Sequence, residues 1–176
     1  MSARPLRYLG DPVLRTPSDP VMRFDDALAH LIEDLLDTVR EPGRAGLAAN
    51  QIGSSLAAFA YNAEGQFGYL INPRIVERSG DDYGPEACLS IPGLSALRHR
   101  SATVTAAGVN LQQEPVIVAG TGELARALEH ETDHLHGELY IDGLDSGERR
   151  RVMRLIGGQL ATRSSFSGAG QRSDRR

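Results

Sequence analysis

Two histidines lie four residues apart in the stretch His130-Glu131-Thr132-Asp133-His134. On a helix, residues four apart lie on the same face, so the two imidazoles can bind one metal ion. Glu131 follows the first histidine and can take a proton from a water on the ion without binding the ion itself. The stretch therefore predicts a helix that carries a hydrolytic metal site.

The residues around this motif favour a helix from 123 to 136. An apolar side is formed by Leu124, Ala127, Leu128 and Leu135. The alternative to a metal site is a solvent-exposed polar helix in which the motif occurs by chance. We favour the metal site because the motif has the helical context, with an apolar opposite side, that it requires.

A catalytic metal site needs a third protein ligand and an open position for water. The chain has one cysteine, Cys88, which cannot form an internal disulfide. It lies in a short predicted strand, and such a cysteine alone is more often a small buried residue than a ligand. A zinc peptidase would take its third ligand downstream, where the candidates lie too close on the helix or lack a second helical motif: His136, Glu138, Asp142, Asp145 and Glu148.

Other segments predict an α+β fold. Apolar residues at helical spacing predict an N-terminal helix over 24–39, which Asp25 or Asp26 can cap and Pro42-Gly43 ends. A third amphipathic helix is predicted over 146–160. Short apolar runs between turn residues predict a mostly antiparallel sheet: 56–61, 69–71, 87–91, 102–109 and 116–119.

Length and composition bound the possibilities. The chain has 176 residues, 40% of them hydrophobic, which suits a single catalytic domain over 1–162. Residues 163–176 are rich in Arg, Ser and Gly and are predicted to be a disordered tail. The net charge of -4 argues against DNA as a partner, and no apolar run is long enough for a membrane. We expect a cytoplasmic protein.

Three motifs in order carry a family resemblance: Gly46-Leu47-Ala48-Ala49-Asn50-Gln51, Glu86-Ala87-Cys88-Leu89-Ser90 and the histidine motif. With Gly10-Asp11-Pro12-Val13-Leu14-Arg15 and Asn72-Pro73, they make residues 9–142 resemble bacterial peptide deformylases. The resemblance implies antiparallel sheets around a central motif-bearing helix, with N-terminal and C-terminal helices. It also implies hydrolysis of the N-formyl group of formylmethionine on new polypeptides, releasing formate.

The resemblance implies a role for each site residue. Cys88, His130 and His134 would bind one divalent ion, for which Fe2+ is favoured and Zn2+, Ni2+ or Co2+ stay open. Glu131 would act as general base and later as acid. Gln51 and the backbone N–H of Leu89 would meet the charge that grows on the formyl oxygen.

The resemblance also implies contacts around this site. Gly46, Ala45 and Arg44 would bind substrate, and Arg100 would pair with Asp133. The arginine-rich third helix is expected to be a solvated surface, and the sharper hypothesis is that it docks on the ribosome, near the exit of the nascent chain.

Four residues depart from the family pattern: Arg44, Asn50, Ala87 and Glu129. None replaces a ligand, the base or the oxyanion donor, but they leave the shape and charge of the pocket open. Two rival functions therefore stay in view. One is a zinc metallopeptidase that cleaves internal bonds, and the other is a non-catalytic deformylase-like protein that binds peptide ends or a metal.

Overall fold

The structure, a computed structural model, describes residues 4–167. Within that range the α-helices are α1 (Asp26–Val39), α2 (Gly122–Leu135) and α3 (Ser146–Ser167). The strands are β1 (Gly46–Ala48), β2 (Ala58–Ala63), β3 (Gln66–Ser79), β4 (Asp82–Cys88), β5 (Ile91–Arg100), β6 (Thr103–Val109) and β7 (Pro115–Thr121). Short 3-10 turns occupy Pro12–Arg15, Ala49–Ile52 and Tyr140–Gly143.

Two antiparallel sheets flank the motif-bearing helix, so the predicted α+β class is confirmed. The larger sheet has the strand order β1-β2-β3-β6-β7, and the smaller is the hairpin β4-β5. One side of α2 packs on the larger sheet, with Leu124 and Leu128 against Phe59, Leu70 and Val104. The polar side of α2 is thereby turned toward the hairpin.

The helix α1 covers the β1 end of the larger sheet. Its N-terminus is capped by Asp25, one of the two predicted candidates, whose carboxylate accepts the N–H of Leu28 at 3.2 Å. Leu28, Ile32 and Leu35 are buried against strand residues of the sheet. This packing holds β1, the edge strand, in a fixed position beside α2.

The prediction for 87–91 as one strand was wrong. The chain turns at Leu89 and Ser90, so β4 ends at Cys88 and β5 begins at Ile91. The strands β1 and β5 were not predicted, and β3 extends well beyond 69–71. The turn matters for the site because it puts Cys88 at the end of a strand, where its side chain can reach α2.

The C-terminal part of the chain differs from its prediction in length. The helix α3 continues to Ser167, beyond the predicted end at 160. Val152 and Ile156 bury its first turns against the core beside β5. The rest of the predicted tail, 168–176, lies outside the described residues. Across the residues that the structure does describe, no helix is both long and apolar enough to cross a membrane.

Candidate metal centre

The three predicted ligands lie together between the hairpin and α2. One ligand atom from each of Cys88, His130 and His134 falls within 4.8 Å of the others, and all three residues are buried. The Cys88 Sγ lies 3.2 Å from Nε2 of His134. A thiolate and two imidazoles are a suitable donor set for a transition-metal ion with a fourth position left open.

Glu86 orients the first histidine. Its Oε1 lies 2.7 Å from Nδ1 of His130, which leaves Nε2 as the nitrogen available to an ion. Burial would raise the pKa of Glu86, but hydrogen bonds from Arg100 and His130 outweigh it and hold that pKa well below its ordinary value. The carboxylate is therefore ionised and fixes the tautomer of His130.

A set of buried ion pairs holds Glu86 in turn. Arg100 donates from Nε to Oε2 at 2.9 Å and from Nη2 to Oε1 at 2.7 Å, and Arg126 donates to Oε2 at 3.1 Å. The predicted pair is confirmed, since Arg100 Nη1 donates to Asp133 at 2.8 Å. These contacts tie β4, β5 and α2 together behind the metal ligands.

Sequence reasoning missed the roles of Glu86 and Arg126. Glu86 was visible as the first residue of the second motif, but its partners come from distant parts of the chain. Arg126 lies four residues before His130, so helical spacing alone puts it on the same face. That spacing could have identified Arg126 as a companion of the site.

Glu131 is buried beside the cluster. Its Oε2 has no hydrogen-bond partner among the described residues. Burial raises the pKa of Glu131 to about 7. The charge of His130 acts in the opposite direction and lowers this pKa, but burial has the larger effect. A carboxyl group with such a pKa can take up and release a proton near neutral pH.

Gly46 gives Glu131 its room. A Cβ at this position would collide with Oε1 and lie 2.7 Å from Cγ of Glu131. The glycine of the first motif is therefore needed for close approach between β1 and α2. This is the physical reason for a glycine there.

Gln51 faces the cluster from the 3-10 turn after β1. Its Oε1 accepts the N–H of Ala48 at 2.8 Å, which fixes the amide. The amide nitrogen Nε2 then points to Oγ of Ser90 at 3.2 Å and toward Sγ of Cys88 at 3.6 Å. Leu89 directly follows Cys88 in the hairpin turn and lines the same cavity as Gln51.

A cavity of about 810 Å³ opens onto the cluster. Its walls come from 43–46, the hairpin from Asp82 to Leu94 and one face of α2, together with Leu6, Tyr8 and Gln51. The predicted substrate residues Arg44, Ala45 and Gly46 all line it. The Arg44 guanidinium, however, donates to the carbonyl of Thr38 at 2.9 Å and pairs with Glu41, so its charge is directed to the end of α1.

None of the remaining departures from the family pattern is a member of the cluster, although Asn50 contacts the backbone of one proposed ligand and Ala87 lines the cavity. Asn50 donates from Nδ2 to the backbone carbonyl of His134 at 2.6 Å. Ala87 is exposed between two inward-facing residues. Glu129 does not line the cavity and accepts hydrogen bonds from Arg78 and Ser101.

The residues present fit a metal ion. Nε2 of His134 faces Sγ of Cys88 at 3.2 Å, and Oε2 of Glu131 is buried beside them without a partner among the described residues, although buried polar atoms are normally hydrogen-bonded. The cluster thus brings together one soft sulfur donor and two nitrogen donors. All three donors are buried and lie at one end of an open cavity. A peptide-sized molecule could reach it.

Comparison with known proteins gives one answer. The sequence model of the polypeptide deformylase family matches residues 3–150. A peptide deformylase of Acidothermus cellulolyticus is 48% identical over 156 residues, which is 89% of this chain and 87% of that protein. One from Parafrankia sp. is 49% identical over 158 residues, covering 89% and 86%. The crystal structure of a peptide deformylase from Legionella pneumophila superposes with a TM-score of 0.83 at 34% identity, covering 93% of this chain and 98% of that one. The chain belongs to the polypeptide deformylase family.

Proposed function

We propose that this chain is a metal-dependent hydrolase that removes the N-formyl group from the N-terminal formylmethionine of newly synthesised polypeptides. The products are formate and a free amine. The observation that carries the proposal is the buried cluster of Cys88, His130 and His134 beside Glu131, at one end of a cavity of about 810 Å³. Membership of the polypeptide deformylase family supports the same reaction.

The ion that we propose is Fe2+, held by Cys88, His130 and His134. Zinc, nickel and cobalt suit the same donors, and the family resemblance is what favours iron. When bound, the ion would supply Lewis acidity toward the formyl oxygen and lower the pKa of water. An iron centre predicts activity that survives anaerobic purification and is lost in air.

Glu131 is the proposed proton carrier. Its carboxylate accepts a proton from the attacking water and later delivers a proton to the amine nitrogen as the formyl C–N bond breaks. The unpaired Oε2 and the pKa of about 7 suit both transfers. Water and the formamide are thereby converted to formate and the free amine, with no other reactant.

Gln51 and the backbone N–H of Leu89 are the proposed donors to the formyl oxygen. Negative charge grows on that oxygen as water adds to the carbonyl carbon. Fixed donors stabilise this charge without needing to reorganise. The contact between Gln51 Oε1 and Ala48 supports this role, because it leaves the NH2 end of the amide facing the cluster.

The substrate peptide is proposed to lie along β1. This strand is the edge of the larger sheet, and its flank at 44–46 lines the cavity. An edge strand offers backbone groups that can pair with an extended peptide. Ala45 and Gly46 would supply such contacts, while Arg44 would form the rim.

A zinc peptidase is the main rival, and it would use a third ligand other than Cys88. The geometry supports our reading instead, because Cys88 lies with the histidines in the cluster. Formate release from formyl-Met-Ala-Ser, compared with cleavage of internal bonds in a blocked peptide, separates the two. Cleavage without formate would overturn the proposal.

We further propose that α3 docks on the ribosome, which would place the protein in the cytoplasm. Arg151 pairs with Glu148, whereas Arg150 and Arg154 are exposed and make no ion pair within the described residues. Such arginines can bind phosphates in a salt-dependent manner. We expect Arg150→Glu with Arg154→Glu to abolish salt-sensitive co-sedimentation with ribosomes while formate release persists. Unchanged co-sedimentation would count against docking.

A further inference from the structure

The segment before the first 3-10 turn contacts both loops that carry the proposed oxyanion donors. The N–H of Arg7 donates to the carbonyl of Gln51 at 2.7 Å. The N–H of Leu9 donates to the carbonyl of Ser90 at 2.9 Å, and Ser90 directly follows Leu89. We call residues 4–9 the N-terminal segment.

Along the N-terminal segment, residues whose side chains line the cavity alternate with residues whose backbone N–H groups donate hydrogen bonds, as in an extended chain. Side chains two residues apart share a face in such a chain, and N–H groups two residues apart share an edge. Leu6 and Tyr8 both line the cavity, while Arg7 and Leu9 both donate backbone hydrogen bonds. The segment therefore faces the cavity and bonds its walls at the same time.

The hydrogen bonds form a closed ring. Gln51 donates from Nε2 to Oγ of Ser90 at 3.2 Å. The two backbone bonds from Arg7 and Leu9 connect the same pair, Gln51 and Ser90, through the N-terminal segment. Because the ring is closed, the spacing of the two loops depends on the segment that bridges them.

The N-terminal segment is itself fixed at both ends. Arg4 donates from its backbone N–H to Thr38 at 3.1 Å and from Nε to the buried Asp34 at 2.8 Å. At the other end, Leu9 packs against the core beside β5. The segment is therefore held in place independently of its bonds to Gln51 and Ser90.

We infer that the N-terminal segment is a positioning element of the catalytic site. It holds the side-chain amide of Gln51 and the N–H of Leu89 at the spacing that one carbonyl oxygen requires. The inference rests on the proposed function, since that assigns both groups to the formyl oxygen. Loss of one oxyanion donor typically costs about 10²–10³ in kcat, so a displaced donor is expected to cost about 10-fold or more.

The test is Arg7→Pro compared with Arg7→Ala. Proline removes the backbone donor to Gln51 and also fixes the φ angle at position 7, whereas alanine keeps the donor. Both variants lose the half-exposed Arg7 side chain and its ion pair with Asp11, so the alanine variant controls for that loss. We expect Arg7→Pro to lower kcat by about 10- to 100-fold with KM within about threefold and unchanged metal content. Arg7→Ala is expected to keep the native kcat. Equal kcat in the two variants would overturn the inference.

A second pair of variants keeps the inference testable if Arg7→Pro does not fold. It consists of full-length Leu9→Pro, which removes the backbone donor to Ser90, and full-length Leu9→Ala, which keeps that donor. The same contrast in kcat is expected, and unfolding of both donor-deficient chains would overturn a positioning role. If the native protein itself releases no formate, the proposed function fails, whereas equal kcat in matched variants refutes this inference alone.

Discussion

Glu131→Gln is expected to lower kcat for formyl-Met-Ala-Ser by about 10³-fold, within the range of about 10²–10⁴ typical of general acid–base catalysis. Glutamine has nearly the same volume, so it fits the space that Gly46 leaves. It cannot accept a proton from water at neutral pH. Because Glu131 is not a proposed ligand, the variant should keep its metal.

The matched control is Glu129→Gln on the same helix. This carboxylate bonds Arg78 and Ser101 and lies away from the cavity. We expect full kcat and a small loss of thermal stability for Glu129→Gln. A Glu131→Gln protein whose kcat stays within about threefold of native would contradict the assigned base.

Glu86→Gln is expected to lower the free energy of unfolding by about 3–5 kcal/mol at neutral pH, the usual effect of removing one partner of a buried ion pair. Glutamine would leave the guanidinium groups of Arg100 and Arg126 without their shared anion. It would also weaken the orientation of His130, so metal affinity should fall by about 10- to 100-fold. Urea unfolding of the metal-free proteins and metal titration measure the two effects separately.

The control for Glu86 is Asp82→Asn. Asp82 also pairs with Arg126, but its side chain is 42% exposed. Exposed pairs contribute about 0–1 kcal/mol, so this variant should lose little stability. A loss below about 1 kcal/mol for Glu86→Gln as well would show that the buried ion pairs do not stabilise the fold.

The pH dependence of the Glu86 effect follows from its pKa. The folded-state pKa is depressed, so its stabilising contribution is fully present above the ordinary glutamate pKa and is lost as the pH falls through the folded value. The difference in stability between the native protein and Glu86→Gln should therefore be largest near neutral pH and shrink in acid. A difference that grows on acidification would contradict the assigned sign.

The helices were predictable from the sequence because their signals are local. α1 and α2 have apolar residues at helical spacing, and Asp25 is a recognisable cap. The strand β5 was not predictable in the same way. Its inward-facing residues change from Leu94 and Ala96 to the buried Arg100, which is charged. A charged residue at a buried position interrupts the alternation of apolar and polar residues by which a strand is recognised. Arg100 can be assigned to the buried face only when its partner Glu86 is known.

The candidate site was predictable where motifs carry it. Cys88, His130 and His134 each lie in a short motif, and the fold brings them together as the family resemblance implied. The contacts of the N-terminal segment were not predictable. They use backbone N–H groups, which every residue except proline has, so no residue type reveals them.

The most direct test of the account is formate release per bound ion. The anaerobically purified, iron-loaded native protein and Cys88→Ala would be measured side by side with formyl-Met-Ala-Ser. We predict that the native protein releases formate in proportion to its metal, and that Cys88→Ala loses both metal and formate release. No formate from native protein at full metal occupancy, or retained metal with cleavage of internal bonds in Cys88→Ala, would contradict it.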